Sequence, residues 1–337
     1  MSLYPLTFLP RFKERVWGGR RLAALFNKSL PPDIPVGESW EICDRAGDVS
    51  VIRNGSLAGR DLRWLMEVHG EELLGRPPDA GQRFPWLIKL LDAREDLSLQ
   101  VHPHPHSAGE LGGEPKTELW YFAEVLPGAR VFAGLKPEVT RSALEQRIAC
   151  GAVTECLHAV FPRRGDAMFL PSGRLHALGS GMVVFEFQEN SDTTYRVFDW
   201  NRTGLDGRPR ELHVAASLRS ILFDDVTPEL VAAPWEHQPG WSRRSLVREA
   251  AFHVDEWRLE QGGVLPEFRP PGSFAVLAVA SGSVRCRHPD GDLDLTPGEV
   301  VLLPAILGGA ILEAGSGSTL LRMTPALNPP MSSPSGL

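Results

Sequence analysis

The sequence predicts a mainly β chain with a few helices, organised as two jelly-roll β-barrels, the second degenerate and without metal ligands. Three observations carry this prediction. The composition combines 42% hydrophobic residues with 33 glycines and 29 prolines, which favours many short strands separated by turns. At 337 residues the chain exceeds a typical domain of roughly 100–200 residues and suggests two. The spacing of glycine, five residues, proline at Gly165–Pro171 returns at Gly298–Pro304, the mark of a repeated element. On this basis residues 1–228 form the first unit, 229–327 the second, and 328–337, rich in Pro, Ser and Gly, a disordered tail.

In chain order, residues 5–16 read as a strand that ends where Gly18 and Gly19 permit a tight turn. Trp17 is either a core plug or one wall of a pocket. Gly37-Glu38-Ser39-Trp40-Glu41-Ile42 alternates in character and reads as a second strand. Over 59–75, Leu62, Leu65, Met66, Val68, Leu73 and Leu74 make a stripe of helical period. Phe84–Ala93 is an apolar strand interrupted by Lys89, which either snorkels to the surface or serves as an anion-binding cation. A helix is expected over 137–158, spaced by Leu144, Ile148, Val153 and Leu157, and another over 211–223. Residues 182–202 read as a hairpin-like pair around Glu189–Asp192. Within it Phe185 and Phe187 share one face and leave Glu186 and Gln188 on the other. A carboxylate inside an apolar strand is costly unless paired or functional, so Glu186 is expected to pair with a neighbouring strand, with Arg196 as a partner, or to act in a site. Beyond Pro228 the texture turns to short strands, including 274–280, 284–287 and 298–304.

The stretch from Leu97 to Phe122 carries the chemistry. Gln100 and His102 are two apart, as are Lys116 and Glu118, and a strand period of two aims each pair at one face. A third element, Gly165-Asp-Ala-Met-Phe-Leu-Pro171-Ser-Gly173-Arg-Leu-His176, has the spacing of the second signature of the cupin β-barrel. Together these give a ligand set of His102, Glu118 and His176 with Gln100 as a neutral oxygen donor, a set that suits one zinc ion per chain with an open position for substrate. His104 and His106 are set apart by Pro103 and Pro105, which end the strand, and read as solvated loop residues. The second barrel's Gly298–Pro304 repeat is followed by Ala-Ile-Leu-Gly, without a histidine.

The chain resembles the short bacterial form of the type I phosphomannose isomerase family, of the cupin superfamily. The likeness runs through Val16-Trp-Gly-Gly19, Gly37-Glu-Ser-Trp-Glu41, Ile88-Lys89, Leu97-Ser-Leu-Gln-Val-His-Pro103, Lys116-Thr-Glu118, Leu170-Pro-Ser-Gly-Arg-Leu-His176 and Ser191-Asp-Thr-Thr-Tyr-Arg196. The resemblance implies a zinc-dependent aldose–ketose isomerase that interconverts mannose 6-phosphate and fructose 6-phosphate through a cis-enediol, with Gln100, His102, Glu118 and His176 as zinc ligands. It further implies that Lys116, Glu186 and Arg196 line the catalytic pocket and that Ser98 and Lys89 lie near the substrate phosphate; the pocket-wall reading of Trp17 would make it a substrate-binding residue. Two departures stand out: His104-Pro-His106 replaces an acidic loop, which bears on substrate preference, and Leu119 replaces a frequent cysteine. The competing readings are an isomerase of free mannose, a non-catalytic sugar-binding regulatory cupin, and an iron-dependent cupin dioxygenase; Gln100 in place of a first histidine speaks against the last.

Charge and composition narrow the partners. A formal net charge of −7 with no basic cluster argues against nucleic acid. The proline-bearing N-terminus and the absence of a run of ~20 apolar residues argue against a signal peptide or membrane helix. Cys43, Cys150, Cys156 and Cys286 lack any paired spacing and read as buried apolar residues in a reducing compartment. The expectation is a cytoplasmic monomer or weak homodimer acting on a small sugar phosphate.

Overall fold

The computed structural model describes residues 3–265, 269–308 and 310–326; the tail from Asn328 lies outside the described residues. Among them, twenty-two strands and five short helices make a mainly β molecule. No helix is long and apolar enough to cross a membrane.

The N-terminal part contains β1 (Arg11–Gly19), β2 (Val36–Ile42), β3 (Asp44–Arg45), β4 (Asp48–Val49), β5 (Trp86–Ala93), β6 (Leu99–Val101), β7 (Glu118–Val125), β8 (Val131–Leu135), β9 (Leu157–Val160), β10 (Ala167–Leu170), β11 (His176–Leu178), β12 (Met182–Glu189) and β13 (Tyr195–Phe198). Its helices are α1 (Arg21–Phe26), α2 (Leu62–Leu74), α3 (Pro105–Ala108), α4 (Arg141–Ala149) and α5 (Val214–Ser220). Two antiparallel sheets result, of order β1-β2-β5-β12-β7-β10 and β13-β6-β11-β8-β9. Leu91, Trp120, Phe122 and Val184 of the first share a buried cluster with Val131, Ala133 and Leu178 of the second, so the two inner faces pack on each other.

The later strands are β14 (Glu236–Gln238), β15 (Trp241–Arg248), β16 (His253–Leu259), β17 (Ala275–Ser281), β18 (Val284–Arg287), β19 (Leu293–Leu295), β20 (Val300–Leu303), β21 (Ile311–Ala314) and β22 (Ser318–Thr324). They form a six-stranded sheet, β14-β15-β16-β22-β17-β20, and a three-stranded one, β19-β18-β21. The two glycine–proline repeats fall at matching places. Gly165 and Gly298 take φ of 87° and 84° just before β10 and β20, which occupy the same end of their six-stranded sheets. Strand β12 shows how the layers meet. Val183, Phe185 and Phe187 point outward into a cluster with Phe252, Val276, Leu302 and Leu321 of the later strands, while the alternate residues Val184 and Glu186 face inward.

Several elements differ from expectation, each for a local reason. Strand β1 runs through Gly18 and Gly19 rather than turning there. A Cβ on Gly18 would come within 2.4 Å of the Gly37 nitrogen, and one on Gly19 within 2.5 Å of an Asp92 carboxylate oxygen; these glycines serve close approach between strands, not a turn. The helix expected over 137–158 is α4, ended at Ala149, then a 3₁₀ turn at Val153–Cys156 and β9, which takes Leu157 into a sheet. The helix expected over 211–223 is confined to α5. Strands β12 and β13 are not a hairpin: β12 pairs with β5 and β7, β13 with β6. The turn at Glu189–Asp192 instead carries the chain from one sheet to the other, and Gln188 Nε2 donates to the carbonyls of Glu189 and Ser191 at 2.8 and 2.7 Å to hold it. Val68 is exposed on α2. Cys43, Cys156 and Cys286 are buried as expected, but Cys150 is exposed.

Because the Gly18 contact is to backbone, Gly18→Ala is expected to lower unfolding free energy by roughly 1–3 kcal/mol. Gly109→Ala, at a φ of −61° with open space around it, is expected to stay within about 0.5 kcal/mol of the parent. Denaturant titration of the two variants reads the difference.

Candidate active site

The sequence places the chemical groups at strand ends, where a turn can bring them together. His102 follows the last residue of β6, ahead of Pro103, which has no N–H to continue the ladder. Glu118 opens β7 and His176 opens β11. The turn between β10 and β11 fastens these ends. Gly173, at φ 94°, donates its N–H to the His102 carbonyl at 2.9 Å, and Ser172 Oγ accepts from the Lys116 N–H at 2.9 Å.

His102, Glu118 and His176 are fully buried and their ligand atoms lie within 4.8 Å of one another. Among the described residues, no other group of three or more His, Cys, Asp or Glu residues is so arranged. Each imidazole is oriented by its far nitrogen: His102 Nδ1 lies 2.8 Å from the Thr193 carbonyl and His176 Nδ1 2.9 Å from that of Arg174. A carbonyl can only accept, so each Nδ1 carries a proton, and each Nε2, turned toward Glu118, is the ring atom left to ligate. The Glu118 oxygens lie 3.1 Å from His176 Nε2, 3.6 Å from His102 Nε2 and 2.7 Å from Lys116 Nζ, yet neither accepts a hydrogen bond of regular geometry. Burial, then the Lys116 charge, pushes the His102 imidazolium down to about 3. Burial opposes ionisation of Glu118, but Lys116 and the two imidazoles outweigh it and hold the carboxyl well below the usual range. Two imidazoles presenting Nε2 and a carboxylate whose oxygens accept no hydrogen bond of regular geometry fit a divalent cation. Gln100 stands beside them, its Nε2 3.2 Å from His176 Nε2.

The cluster borders a cavity of about 560 Å³ between two cross-strand rows. On the five-stranded sheet, Arg196 pairs with Gln100 and Gln100 with His176. On the six-stranded sheet, Glu186 pairs with Lys89 on one side and Trp120 on the other, and Lys89 with Trp40. Register alone explains the contacts. Lys89 Nζ lies 2.9 Å from Glu186 Oε2 and 5.4 Å over the Trp40 ring, and Trp120 Nε1 donates to Glu186 Oε1 at 2.9 Å. Lys89 therefore does not snorkel outward, and the partner of Glu186 is Lys89 rather than Arg196. Burial disfavours the Lys89 charge, but Glu186 and Glu38 more than restore it and raise its pKa. Arg196 Nη1 donates to the Glu211 carbonyl at 2.7 Å; burial, then the nearby Arg210 charge, lowers its pKa.

Trp17 is packed in the core between the sheets and also lines the cavity. Ser98, Lys116 and Gln100 also line it. His104 and His106 stack on each other at 4.9 Å outside it. Sequence reasoning missed Glu38, Arg15, Asp192 and Arg210 of the lining. Glu38 was discoverable, since it is a carboxylate in a strand whose every residue is buried. Burial opposes its ionisation, but Lys89 and Arg15 outweigh it and hold its carboxyl down at about 2, with Trp40 Nε1 donating to it at 2.6 Å.

Fold and site together define a β-sheet protein with a candidate metal centre opening on a charged cavity sized for a small molecule. Known proteins sharpen this. The model of the phosphomannose isomerase type I catalytic domain matches residues 6–121. The chain is 36% identical over 318 residues to mannose-6-phosphate isomerase ManA of Bacillus subtilis, spanning 93% of this chain and 97% of that protein. It is 33% identical over 301 residues to the mannose-6-phosphate isomerase of Streptococcus mutans, spanning 89% and 92%. The crystal structure of the Bacillus subtilis mannose 6-phosphate isomerase matches with a TM-score of 0.86 at 32% identity, over 95% of this chain and 99% of that one. The chain belongs to the type I phosphomannose isomerase family and is an enzyme of the isomerase class.

Removing Lys89 leaves two buried carboxylates without their shared cation. Lys89→Ala is expected to cost on the order of 3–5 kcal/mol, and Lys89→Met/Glu186→Gln to recover part of it; denaturant midpoints decide. The folded Glu38 carboxyl titrates at about 2 against its ordinary 4.5, so its contribution to stability is complete above that ordinary value and is lost as pH falls toward 2. Glu38→Gln should flatten the stability profile in that interval, as read by thermal melts across pH.

Proposed function

We propose that this protein interconverts mannose 6-phosphate and fructose 6-phosphate through a cis-enediol, using one zinc ion per chain held by His102, Glu118, His176 and Gln100. The observation that carries the reading is the pair of imidazoles whose carbonyl-bound Nδ1 atoms turn both Nε2 atoms onto a buried carboxylate that accepts no hydrogen bond of regular geometry. Rotating the Gln100 amide by half a turn presents its oxygen in place of nitrogen to the same point beside His176. The names of the relatives, mannose-6-phosphate isomerases of two bacteria, support the substrate.

Moving a proton between C1 and C2 of a sugar is hard because negative charge develops on oxygen. Bound zinc supplies Lewis-acid stabilisation of that charge. Glu186 is the group that carries the proton, and its surroundings suit the task. One oxygen is held by the Trp120 indole and the other faces Lys89, which fixes the carboxylate's position relative to a sugar in the cavity. Lys116 and Arg196 offer positive charge to the developing enediolate. Trp17, Ser98 and Lys89 form the wall against which the sugar lies.

In this reading residues 1–228 are a catalytic cupin unit with helical insertions, and 229–327 a degenerate cupin-like unit. The later unit lacks a histidine after Pro304 and contributes packing against the outer face of the catalytic sheet.

Four variants test the assignment of roles. Glu118→Ala should lose both zinc and activity. Arg196→Ala and Lys116→Met should keep zinc while activity falls, and Glu186→Gln should keep zinc and lose roughly 10²–10⁴-fold in kcat. Metal analysis beside a coupled assay on mannose 6-phosphate separates them; a zinc-free Glu118→Ala protein with full activity would defeat the assignment.

A further inference from the structure

The charges around the cavity are unevenly answered. On one side every cation has its own carboxylate: Lys89 faces Glu186 at 2.9 Å, Arg15 faces Glu38 at 2.7 Å and Lys116 faces Glu118 at 2.7 Å. On the other side, where β13 runs into the loop 199–211, a single buried carboxylate serves two guanidiniums. Asp199 accepts from Arg210 Nε at 2.7 Å and from Arg202 Nη2 at 2.8 Å. Arg202 is consumed by its surroundings, its Nη1 donating to the Asp96 carbonyl at 2.5 Å. Among the described residues, Arg210 Nη1 has no hydrogen-bond acceptor, and the Arg196 Nε is buried without one. Both arginines line the cavity. The other acid on that rim, Asp206, is exposed and accepts from the Arg208 N–H at 3.0 Å.

These facts locate an anion. A dianionic group placed beside Lys89 would lie against Glu186 and Glu38, like charges in a partly dry cavity where repulsion is strong. Beside Arg210 it would meet a guanidinium already braced by Asp199 from behind, with donors free in front and a second arginine adjacent. Planar guanidinium forks match phosphate oxygens in two-point contacts, which a lysine ammonium cannot reproduce. The row from His176 through Gln100 to Arg196 gives the direction. With the reacting carbons at the His-Glu-His end, as the proposed function has them, the far end of an open-chain sugar would point to the 199–211 loop.

We propose that Arg210 receives the phosphate of the substrate, and that it is the residue selecting a phosphorylated over an unphosphorylated sugar. This rests on the reading of the cavity as a sugar-phosphate isomerase site. It moves the phosphate away from Ser98 and Lys89, where the family resemblance had put it, and leaves Lys89 to hold Glu186.

Arg210→Gln and Arg210→Lys, assayed on mannose 6-phosphate and with inorganic phosphate as competitive inhibitor, test the proposal. For Arg210→Gln, KM and the phosphate inhibition constant should both rise roughly tenfold or more, with kcat at saturation falling by a smaller factor. Arg210→Lys should fall between, keeping the charge but not the fork. Unchanged KM and inhibition constant in a variant that melts like the parent would overturn the proposal, as would a loss confined to kcat. If Arg210→Gln fails to fold, Arg210→Lys, which retains an ion pair to Asp199, decides on the same two constants. A parent protein inactive on mannose 6-phosphate would defeat the isomerase reading itself, whereas an active parent with an unresponsive Arg210 defeats this proposal alone.

Discussion

The arrangement depends on keeping carboxylates ionised inside a layered β structure. Glu118 and Glu186 are buried between two sheets, where an isolated charge costs several kcal/mol. Each is answered at a cross-strand or strand-end position: Lys116 and two imidazoles around Glu118, Lys89 and an indole around Glu186. The charges are therefore fixed by backbone register. A one-residue slip of β12 against β5 would turn Glu186 into the apolar outer layer and Phe185 or Phe187 into the cavity. The hydrophobic pattern that selects the fold thus also selects the geometry of the site.

The division of labour between layers follows. Strand β12 is buried on both faces, and its outward phenylalanines pack against residues of the later six-stranded sheet. With the outer face stabilised by apolar burial, the inner face can carry charged groups that contribute little net stability. Gly18 and Gly19 belong to the same economy of space: their missing side chains let β1 lie close to β2 and Asp92, and the strand so placed carries Trp17 to the cavity wall.

What could be read from the sequence were features carried by short, local spacing. Gly165 through His176, Gln100 with His102, and Lys116 with Glu118 each span a turn or a strand, and the structure joins His102, Glu118 and His176 into one cluster with Gln100 and Lys116 at its edge. The repeat at Gly298 was legible for the same reason. Features set by pairing between distant strands were not. Lys89 read either as a surface lysine or as an anion-binding cation because a lone charge in an apolar run offers no sign of its partner, and that partner, Glu186, becomes its neighbour only through the β5–β12 register. The expected hairpin at 182–202 failed because turn residues signal a reversal without saying which sheet the chain enters next. The long helix expected at 137–158 failed because apolar residues at helical spacing can equally be shared among a short helix, a 3₁₀ turn and a strand. Arg210 was invisible in sequence, since its meaning lies in sharing Asp199 with Arg202.

The central claim is that His102, Glu118 and His176 form a metal centre on which isomerisation depends. The most direct measurement is zinc per chain and mannose 6-phosphate isomerase activity, followed together as a chelator withdraws metal and zinc is returned. The account predicts close to one zinc per chain, activity that falls in proportion to its removal, and recovery on readdition. Full activity in protein stripped of metal would contradict it.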